Sequence, residues 1–356
     1  FGNYRDYIFQ RYERFDYTPA FCVADPAATE KAIVPLARQI QEDRKRELGL
    51  DKLRPWDLAV DPKNRPPLRP FERSEDLVGK TEAIFQELDP DLGGQFSLMR
   101  EKGLLDLANR KGKAPGGYQS TLHEARLPFI FMNAVGLHRD VETLLHEAGH
   151  AFHSLAAREE TLHEYRHAPI EFCEVASMGM ELLAAPYLRH FYNEGDHRRA
   201  VLTHLKQVVG LFPWIAQVDA FQHWIYLHPA HRPEDRVKAW LDLNRRFGGI
   251  EDWSGFEDSL AYSWHKQLHI FEVPFYYIEY GIAQLGALQL WRNYRRDPAK
   301  ALKDYRRGLA LGGSRPIPEL FEATGLKFDF SEATIRPLIE EVRAEYEKLS
   351  AEETKA

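Results

Sequence analysis

The spacing of hydrophobic residues along the chain predicts a mainly helical protein. Asp25 followed by Pro26 is a typical helix start, and the apolar residues after it recur every three or four positions, which predicts a helix over 26–48. Residues 74–110 show the same spacing, and from residue 140 onward almost the whole chain does. We expect breaks in this last region at its prolines and glycine pairs, near Pro169, Pro213, Pro229, Gly248-Gly249 and Gly312-Gly313.

Two stretches depart from the helical pattern. The segment Leu53–Phe71 holds five prolines, which predicts an extended loop with one short strand at Trp56–Val60. Further on, KGKAPGGYQS ends the helical pattern, and short runs of apolar and aromatic residues follow it. We predict that Tyr118–Leu122 and Phe129–Ala134 are two strands of a small sheet.

Composition excludes several classes of protein. The chain has 356 residues, of which 44% are hydrophobic, so it can bury a sizeable core. The formal net charge of −7 argues against partners such as nucleic acid or anionic lipid. No run of 18 apolar residues and no signal peptide is visible, and the two cysteines, Cys22 and Cys173, fit a reducing compartment. The sequence predicts a cytoplasmic protein and leaves its oligomeric state open.

The motif TLLHEAGHAFHSL carries the clearest chemistry. His146 and His150 are four residues apart, so on a helix their rings lie on one face and can share a metal ion. Glu147 lies beside them, where it can accept a proton from water. With 15 histidines and 54 acidic residues, a shuffled chain contains H-[DE]-x-x-H roughly 0.1 times. The apolar flanks favour burial, which makes a metal site a better explanation than two hydrogen-bonded core histidines.

A catalytic zinc site needs a third protein ligand. The metzincin pattern would place a histidine at position 156, which is Ala156, so that class is excluded. The segment PIEFCEVASMGMELL offers Glu171, Glu174 and Glu181 on one helical stripe. Geometry alone leaves all three open as the ligand, and a remaining one would bind the second ring nitrogen of a ligand histidine.

These two motifs make the sequence recognisable. HEAGHAFHS followed by PIEFCEVASMGMELL resembles the thimet oligopeptidase and oligoendopeptidase F family of zinc metallopeptidases. The stretches RFDYTP, LRPWDL, PFIFMN and HIFEVPFYYIEYGIAQLGALQLW resemble its oligoendopeptidase F branch, so the likeness extends from about Asn3 to Leu326. It implies a mainly α, oligopeptidase-like zinc-peptidase (gluzincin) fold, with a small sheet beside the active-site helices and a deep substrate cleft.

The resemblance also implies roles for individual residues. One zinc ion is expected between His146, His150 and Glu174, with Glu147 as the general base. The residues expected to support the ligands are Glu171, Glu181 and His153.

A second group of residues is expected to stabilise the oxyanion of the tetrahedral intermediate. The resemblance places a histidine and a tyrosine in the segment that contains FYYIEY. Tyr280 is the first choice as donor, with Tyr277 and Tyr276 behind it, and His269 is expected to bind the substrate. His265 remains an alternative to His269, because the spacing between histidine and tyrosine varies among branches. The aromatic residues can also be explained as core packing.

The turn Gly116-Gly117-Tyr118 and its neighbouring strands are candidates for substrate binding. Metallopeptidases commonly hold a peptide as an added strand on a sheet edge, and glycine permits close approach. An ordinary hairpin turn explains these residues equally well.

The sequence therefore predicts a zinc metalloendopeptidase that hydrolyses internal bonds of short peptides. The alternatives are a helical zinc carboxypeptidase and a non-catalytic zinc-binding fragment. We expect helices and a packed proline-rich segment over 1–72 and the zinc-binding helical core with its sheet over 73–356. The family's N-terminal helical region is expected to be absent, which would make the helix at Phe1 a cut edge of the catalytic portion.

Overall fold

The structure is a computed structural model that describes residues 4–11 and 16–355. It confirms a mainly helical fold with one small sheet. None of the helices in the described part combines the length and apolar character that a membrane span requires. The α-helices are α1 (Tyr4–Arg11), α2 (Pro19–Ala32), α3 (Val34–Glu47), α4 (Ser74–Leu88), α5 (Pro90–Glu101), α6 (His138–Ala156), α7 (Ile170–Ala184), α8 (Glu194–Leu227), α9 (Pro233–Phe247), α10 (Glu257–Ala261), α11 (His269–Glu272), α12 (Ile278–Arg296), α13 (Pro298–Leu309), α14 (Ile317–Ala323) and α15 (Glu332–Lys355).

Short 3₁₀ helices and three strands complete the described elements. The 3₁₀ helices are Pro55–Ala59, Glu164–Arg166, Ala185–His190 and Ser263–Lys266. The strands are β1 (Leu105–Ala108), β2 (Tyr118–Leu122) and β3 (Leu127–Ala134).

The chain divides into two compact units, each assembled from separate stretches. The first unit combines residues 1–66, 204–282 and 329–348. The second combines residues 67–203, 283–328 and 349–356, and it contains the sheet, α6 and α7. The boundary predicted between residues 72 and 73 stays a prediction.

The first unit has an aromatic core centred on Trp240 of α9. Its ring packs edge-on against Trp214, at 5.6 Å between centroids, and against Phe221, at 5.2 Å. The indole N–H of Trp240 donates to the Leu260 carbonyl and to Ser263 Oγ, so the buried ring leaves no donor unsatisfied.

Helix α8 continues through Pro213, and the predicted break there is wrong. A proline inside a helix removes one hydrogen bond and costs about 3 kcal/mol. The neighbouring side chains Phe212, Ile215 and Ala216 are at most 2% exposed, and each large buried apolar side chain contributes about 1.5–3 kcal/mol. Packing therefore outweighs the local preference, a balance that sequence spacing does not reveal.

The sheet of the second unit has the strand order β1-β3-β2. Strand β2 pairs antiparallel with β3, which confirms the two predicted strands of a small sheet, and β3 begins two residues earlier than predicted. Strand β1 pairs parallel with β3, with Leu105 opposite Ile130. It lies in the stretch 74–110 that we predicted to be helical, and that part of the prediction is wrong. Only the pairing with β3, 25 residues away in this register, makes LDLA a strand.

Two further predictions need correction. The helix expected over 26–48 begins earlier, at Pro19, and is interrupted at Ile33, because Pro35 sits in the first turn of α3. The side chains of Cys22, Asp25 and Pro26 lie outside the described residues. The strand expected at Trp56–Val60 is a 3₁₀ helix, in which the Asp57 carboxylate accepts a hydrogen bond from the Arg54 backbone N–H.

Candidate active site

Helix α6 places the HEAGH motif, and Asp140 defines where the helix begins. The Asp140 carboxylate accepts hydrogen bonds from the backbone N–H groups of Val135 and Leu137, at 2.8 and 2.9 Å. A carboxylate in the first turn also interacts favourably with the helix dipole. Six residues of the apolar flank are buried, as the sequence predicted: Leu144, Leu145, Ala148, Ala151, Phe152 and Leu155. Thr143, which belonged to the same predicted flank, is partly exposed.

Gly149 allows α6 to approach α7 very closely. A Cβ atom at this position would lie 2.6 Å from both the Ala176 carbonyl oxygen and the Ser177 Cα. The Tyr305 hydroxyl of α13 donates to the same Ala176 carbonyl at 2.8 Å. The backbone of α7 is therefore fixed directly opposite the two histidines of α6.

The three candidate metal ligands converge between these helices. His146 Nε2 lies 3.4 Å from Glu174 Oε2, and His150 Nε2 lies 3.8 Å from Glu174 Oε1. One ligand atom from each of the three residues lies within 4.8 Å of the others. Ligands at zinc bond lengths in a tetrahedral site are separated by about 3.4 Å. The observed separations fit one zinc ion with little movement.

The remaining polar atoms of these side chains have partners of their own. Glu181 Oε1 lies 2.6 Å from His146 Nδ1, and His150 has a hydrogen bond with the backbone of Cys173. Ser177 Oγ donates to Glu174 Oε2 at 3.0 Å. Such outer partners fix the tautomer and orientation of ligand side chains. Spacing alone left three acidic residues open, and the family resemblance implied Glu174. In the structure Glu174 faces both Nε2 atoms, and Glu181 contacts the other ring nitrogen of His146.

The electrostatics of the site favour a bound cation. Burial alone lowers the pKa of His146, but its hydrogen bond with Glu181 and the surrounding carboxylates raise it to about 9. Burial raises the pKa of Glu174, and burial together with the charge of His146 lowers the pKa of His150. Two imidazoles and one carboxylate are a typical catalytic zinc donor set, and a dication would compensate the buried negative charge. The residues present therefore fit the metal.

Glu147 lies beside these residues and faces the sheet. It is 7% exposed, and burial raises the pKa of its carboxyl. A backbone hydrogen bond from Gln119 of β2 has the opposite, smaller effect. Because β2 is an edge strand of the described sheet, this contact brings the edge of β2 next to Glu147.

The three residues Gly116, Gly117 and Tyr118, at the start of β2, differ in how closely their neighbours pack around them. Gly116 has φ +99° in open space, which favours glycine. A Cβ on Gly117 would lie 3.1 Å from the Thr143 methyl group, so this glycine serves the packing of the strand on α6. Tyr118 is exposed and stacks on Phe131 at 5.0 Å. Their role in substrate binding stays a prediction.

His269 and the tyrosines form a cluster in the first unit. The His269 ring lies 5.1 Å from Tyr277 and 6.0 Å from Tyr280, and Tyr276 packs at 5.5 Å. Burial raises the pKa of Tyr277 to about 12 and lowers the pKa of His269. Tyr277 is buried, whereas Tyr280 is partly exposed. The ring of His265 instead contacts Tyr262, Trp264 and Phe271.

Glu171 and His153, the other two residues predicted to support the ligands, are both buried, and each is three residues from a ligand in the sequence. Glu171 lies in the first turn of α7. His153 lies one turn after His150 and contacts Phe172 edge-on at 5.5 Å. Their supporting roles stay predictions.

Sequence reasoning missed the contributions of two glutamines. Gln119 provides the backbone hydrogen bond to Glu147. Gln267 lies 2.6 Å from His269 Nδ1 and accepts a hydrogen bond from Trp214 Nε1 at 2.9 Å. Neither glutamine belongs to a motif, and Trp214 lies 53 residues from Gln267 in the chain. No local pattern in the sequence therefore indicated these hydrogen bonds.

Comparison with known proteins identifies the family. The sequence profile of Peptidase family M3 matches residues 1–338. The chain belongs to this family. Among relatives in M3, Oligopeptidase PepF of Bacillus subtilis is 26% identical over 301 residues, which cover 82% of this chain and 43% of that protein. An oligoendopeptidase F homolog of Borreliella burgdorferi is 24% identical over 330 residues, covering 89% of this chain and 54% of that protein. The chain thus spans about half the length of these M3 relatives.

Solved structures agree with the M3 assignment. PZ peptidase A, solved with an inhibitor, is 32% identical, with a TM-score of 0.89 over 98% of this chain and 62% of that chain. Metallocarboxypeptidase 1 of Trypanosoma cruzi is 14% identical with a TM-score of 0.64, and this likeness concerns the fold alone. The neighbours support the mainly α gluzincin fold that the resemblance implied.

Proposed function

We propose that this M3 chain is a zinc-dependent metalloendopeptidase that hydrolyses internal bonds of short peptides. The observation that carries the proposal is the convergence of His146, His150 and Glu174 beside a buried Glu147. His146, His150 and Glu174 would hold one zinc ion. Zinc in such a site supplies Lewis acidity, polarising a carbonyl group and lowering the pKa of water.

Glu147 acts as the general base in this proposal. Its carboxylate accepts a proton from the attacking water and passes it to the leaving amine nitrogen. Burial, which raises the pKa of Glu147, makes the carboxylate a stronger base than an exposed glutamate. The backbone hydrogen bond from Gln119 orients the carboxylate relative to β2.

Tyr280 and His269 are assigned to the oxyanion and the substrate. A neutral hydroxyl donor stabilises developing negative charge without having to lose a proton. Tyr280 is the better candidate than Tyr277, because its ring is partly exposed and Tyr277 is buried. Gln267, itself bound to Trp214, fixes one ring nitrogen of His269 and leaves the other for a ligand.

The substrate is proposed to bind as an additional strand on β2. Main-chain hydrogen bonds to a sheet edge hold peptides of many sequences, which suits an oligopeptidase. The contact between Gln119 and Glu147 supports this placement, because it puts the base beside that edge. The turn Gly116-Gly117-Tyr118 leads directly into the same strand.

The experiment is Glu147→Gln, assayed with a fluorescence-quenched peptide blocked at both ends. We expect wild-type protein to cleave this peptide, and the variant to retain one zinc per chain by mass spectrometry but to lose turnover by at least about 10²-fold. The exposed Glu159→Gln serves as control. Wild-type turnover in Glu147→Gln would refute the base assignment. Cleavage only of peptides with a free carboxyl end would indicate a carboxypeptidase, and bound zinc without any turnover in the wild-type chain would indicate a non-catalytic site.

Location and partners complete the proposal. We place the protein in the cytoplasm, because two cysteines in 356 residues are too few for a disulfide scaffold and fit a reducing compartment. Short peptides are the proposed partners.

A further inference from the structure

A second cluster of imidazoles lies outside the HEAGH site. His123 belongs to the turn after β2, and His163 and His167 belong to the segment between α6 and α7. One ring nitrogen from each lies within 4.8 Å of the others, and all three side chains are exposed. We propose that His123, His163 and His167 form a second metal site, which binds a Zn²⁺ ion.

The geometry of the cluster is close to that of a three-histidine zinc site. His163 Nε2 and His123 Nδ1 are 3.2 Å apart, near the separation of about 3.4 Å between ligand atoms in a tetrahedral zinc site. The ring of His167 packs edge-on at 5.2 Å from His123 and 5.4 Å from His163. Rotation of one exposed side chain brings its nitrogen the remaining distance, and water completes the coordination.

The chemistry of the cluster selects a borderline transition metal. Imidazole nitrogen suits zinc, copper and nickel, whereas magnesium and calcium require oxygen ligands. Burial lowers the pKa of His167, and the electrostatic repulsion between a protonated His167 and its neighbours His123 and His163 lowers it further, which favours the neutral form of the ring that binds metal. Glu164 Oε1 lies 3.8 Å from His163 Nδ1, on the side of the ring away from His123. A carboxylate behind a ligand histidine is a frequent feature of zinc sites.

The proposed site would cross-link two segments that flank the active-site helices. Arg126, in the same turn as His123, already donates to the Arg158 carbonyl at 2.8 Å. The backbone N–H of Gly313 donates to the Tyr165 carbonyl at 2.8 Å and supports the segment from the other side. A metal ion would add to the Arg126 contact a second connection between the end of β2 and the α6–α7 segment. This segment contains Arg158 and Arg166, so its mobility is measurable by trypsin cleavage.

The test measures metal binding directly and does not depend on peptidase activity. Protein loaded with one equivalent of zinc is titrated with ZnCl₂ by calorimetry in a buffer free of chelators. We expect one further binding event in the wild-type chain, slower trypsin cleavage at Arg158 and Arg166 when it is filled, and no such event with MgCl₂. His163→Ala and His167→Ala should each weaken the second event more than about tenfold while leaving the first zinc in place.

His190→Ala is the matched control, because His190 pairs with Glu87 outside the cluster. It should retain both events. The variants change exposed side chains, and circular dichroism and retention of the first zinc verify that they fold. The proposal is overturned if the wild-type chain shows no second event, or if that event persists in a His163→Ala, His167→Ala double variant.

Discussion

At the scale of single residues, the orientation of the proposed ligand histidines depends on the groups that contact their second ring nitrogens. His146 and His150 both direct Nε2 toward Glu174, and each has a partner on its other side. Glu181 is that partner for His146, at 2.6 Å. Because a charged partner raises the basicity of the ring and fixes its orientation, Glu181 should influence metal affinity without touching the metal.

Replacing Glu181 with glutamine should therefore weaken zinc binding. The amide can still accept a hydrogen bond from His146 but no longer carries a charge, and we expect the dissociation constant to rise about 10–100-fold. Competition with a chromophoric chelator measures the affinity, and excess zinc should restore turnover. Glu159→Gln, at an exposed position, should change neither quantity. An unchanged affinity in Glu181→Gln would show that this contact does not support the ligand.

The two tyrosines next to His269 provide a paired comparison. Removing a donor that binds the oxyanion lowers kcat by about 10²–10³-fold. We expect Tyr280→Phe to show a loss of this size with little change in KM, because the interaction strengthens only in the transition state. Tyr277→Phe should have a much smaller effect on kcat, since the Tyr277 ring is buried. Steady-state kinetics with the end-blocked peptide decide between them, and equal losses would remove the preference for Tyr280.

At the scale of secondary-structure elements, the decisive feature is the contact between α6 and α7. The ligands come from two helices, so the distance between helix backbones determines whether Glu174 reaches the histidines. Gly149 permits this distance, because its missing side chain leaves room for the backbone of Ala176 and Ser177. Backbone atoms cannot move aside as a flexible side chain can.

Gly149→Ala should separate the helices and destabilise the protein. A Cβ 2.6 Å from two backbone atoms is far inside contact distance, and overpacking of this kind costs about 1–3 kcal/mol. Gly79→Ala is the matched control, because Gly79 lies inside α4 with nothing within 4 Å of the added Cβ. It should stabilise the chain by about 0.5–1 kcal/mol through helix propensity. Urea unfolding measures both, and a neutral Gly149→Ala would contradict the close packing.

At the scale of the whole molecule, stability depends on buried groups that resist protonation. Burial lowers the pKa of His153 to about 4, against an ordinary value of 6.5. Nε2 of this ring has no hydrogen-bond partner among the described residues. The unfolded chain therefore binds the proton more tightly than the folded protein, and acid favours unfolding.

The contribution of His153 should be complete above pH 6.5 and lost progressively as the pH falls toward 4. The full loss is at most about 3 kcal/mol, since one pKa unit corresponds to about 1.4 kcal/mol. The free energy of unfolding, measured with a chelator present, should fall less steeply over this range in His153→Gln than in the wild-type chain. His228→Gln, at an exposed position, should keep the wild-type slope. Equal slopes for all three proteins would mean that His153 is protonated in the folded state.

Features that depend on neighbouring residues were predicted correctly from the sequence. The HEAGH helix and its buried flank followed from spacing, because the period of an α-helix alone places His146 and His150 on one face. The strands β2 and β3 were predictable from short runs of apolar and aromatic residues that follow the break at KGKAPGGYQS. The errors fell where distant contacts override local preference, at Pro213 inside α8 and at Leu105–Ala108, which is a strand only because β3 pairs with it.

The sequence by itself therefore determined the helical class, the family and the chemical inventory of the site, because periodicity and motif spacing are properties of neighbouring residues. Spacing alone left three acidic residues open as the third ligand, and only the family resemblance implied Glu174. Tertiary structure then placed Glu174 opposite both histidines. It did so through the approach of two helices at Gly149, a contact between residues about 27 positions apart. It also brought Gln119 of β2 to Glu147 of α6, and Trp214 to Gln267, which contacts His269, since each of these two pairs joins segments that lie far apart in the chain.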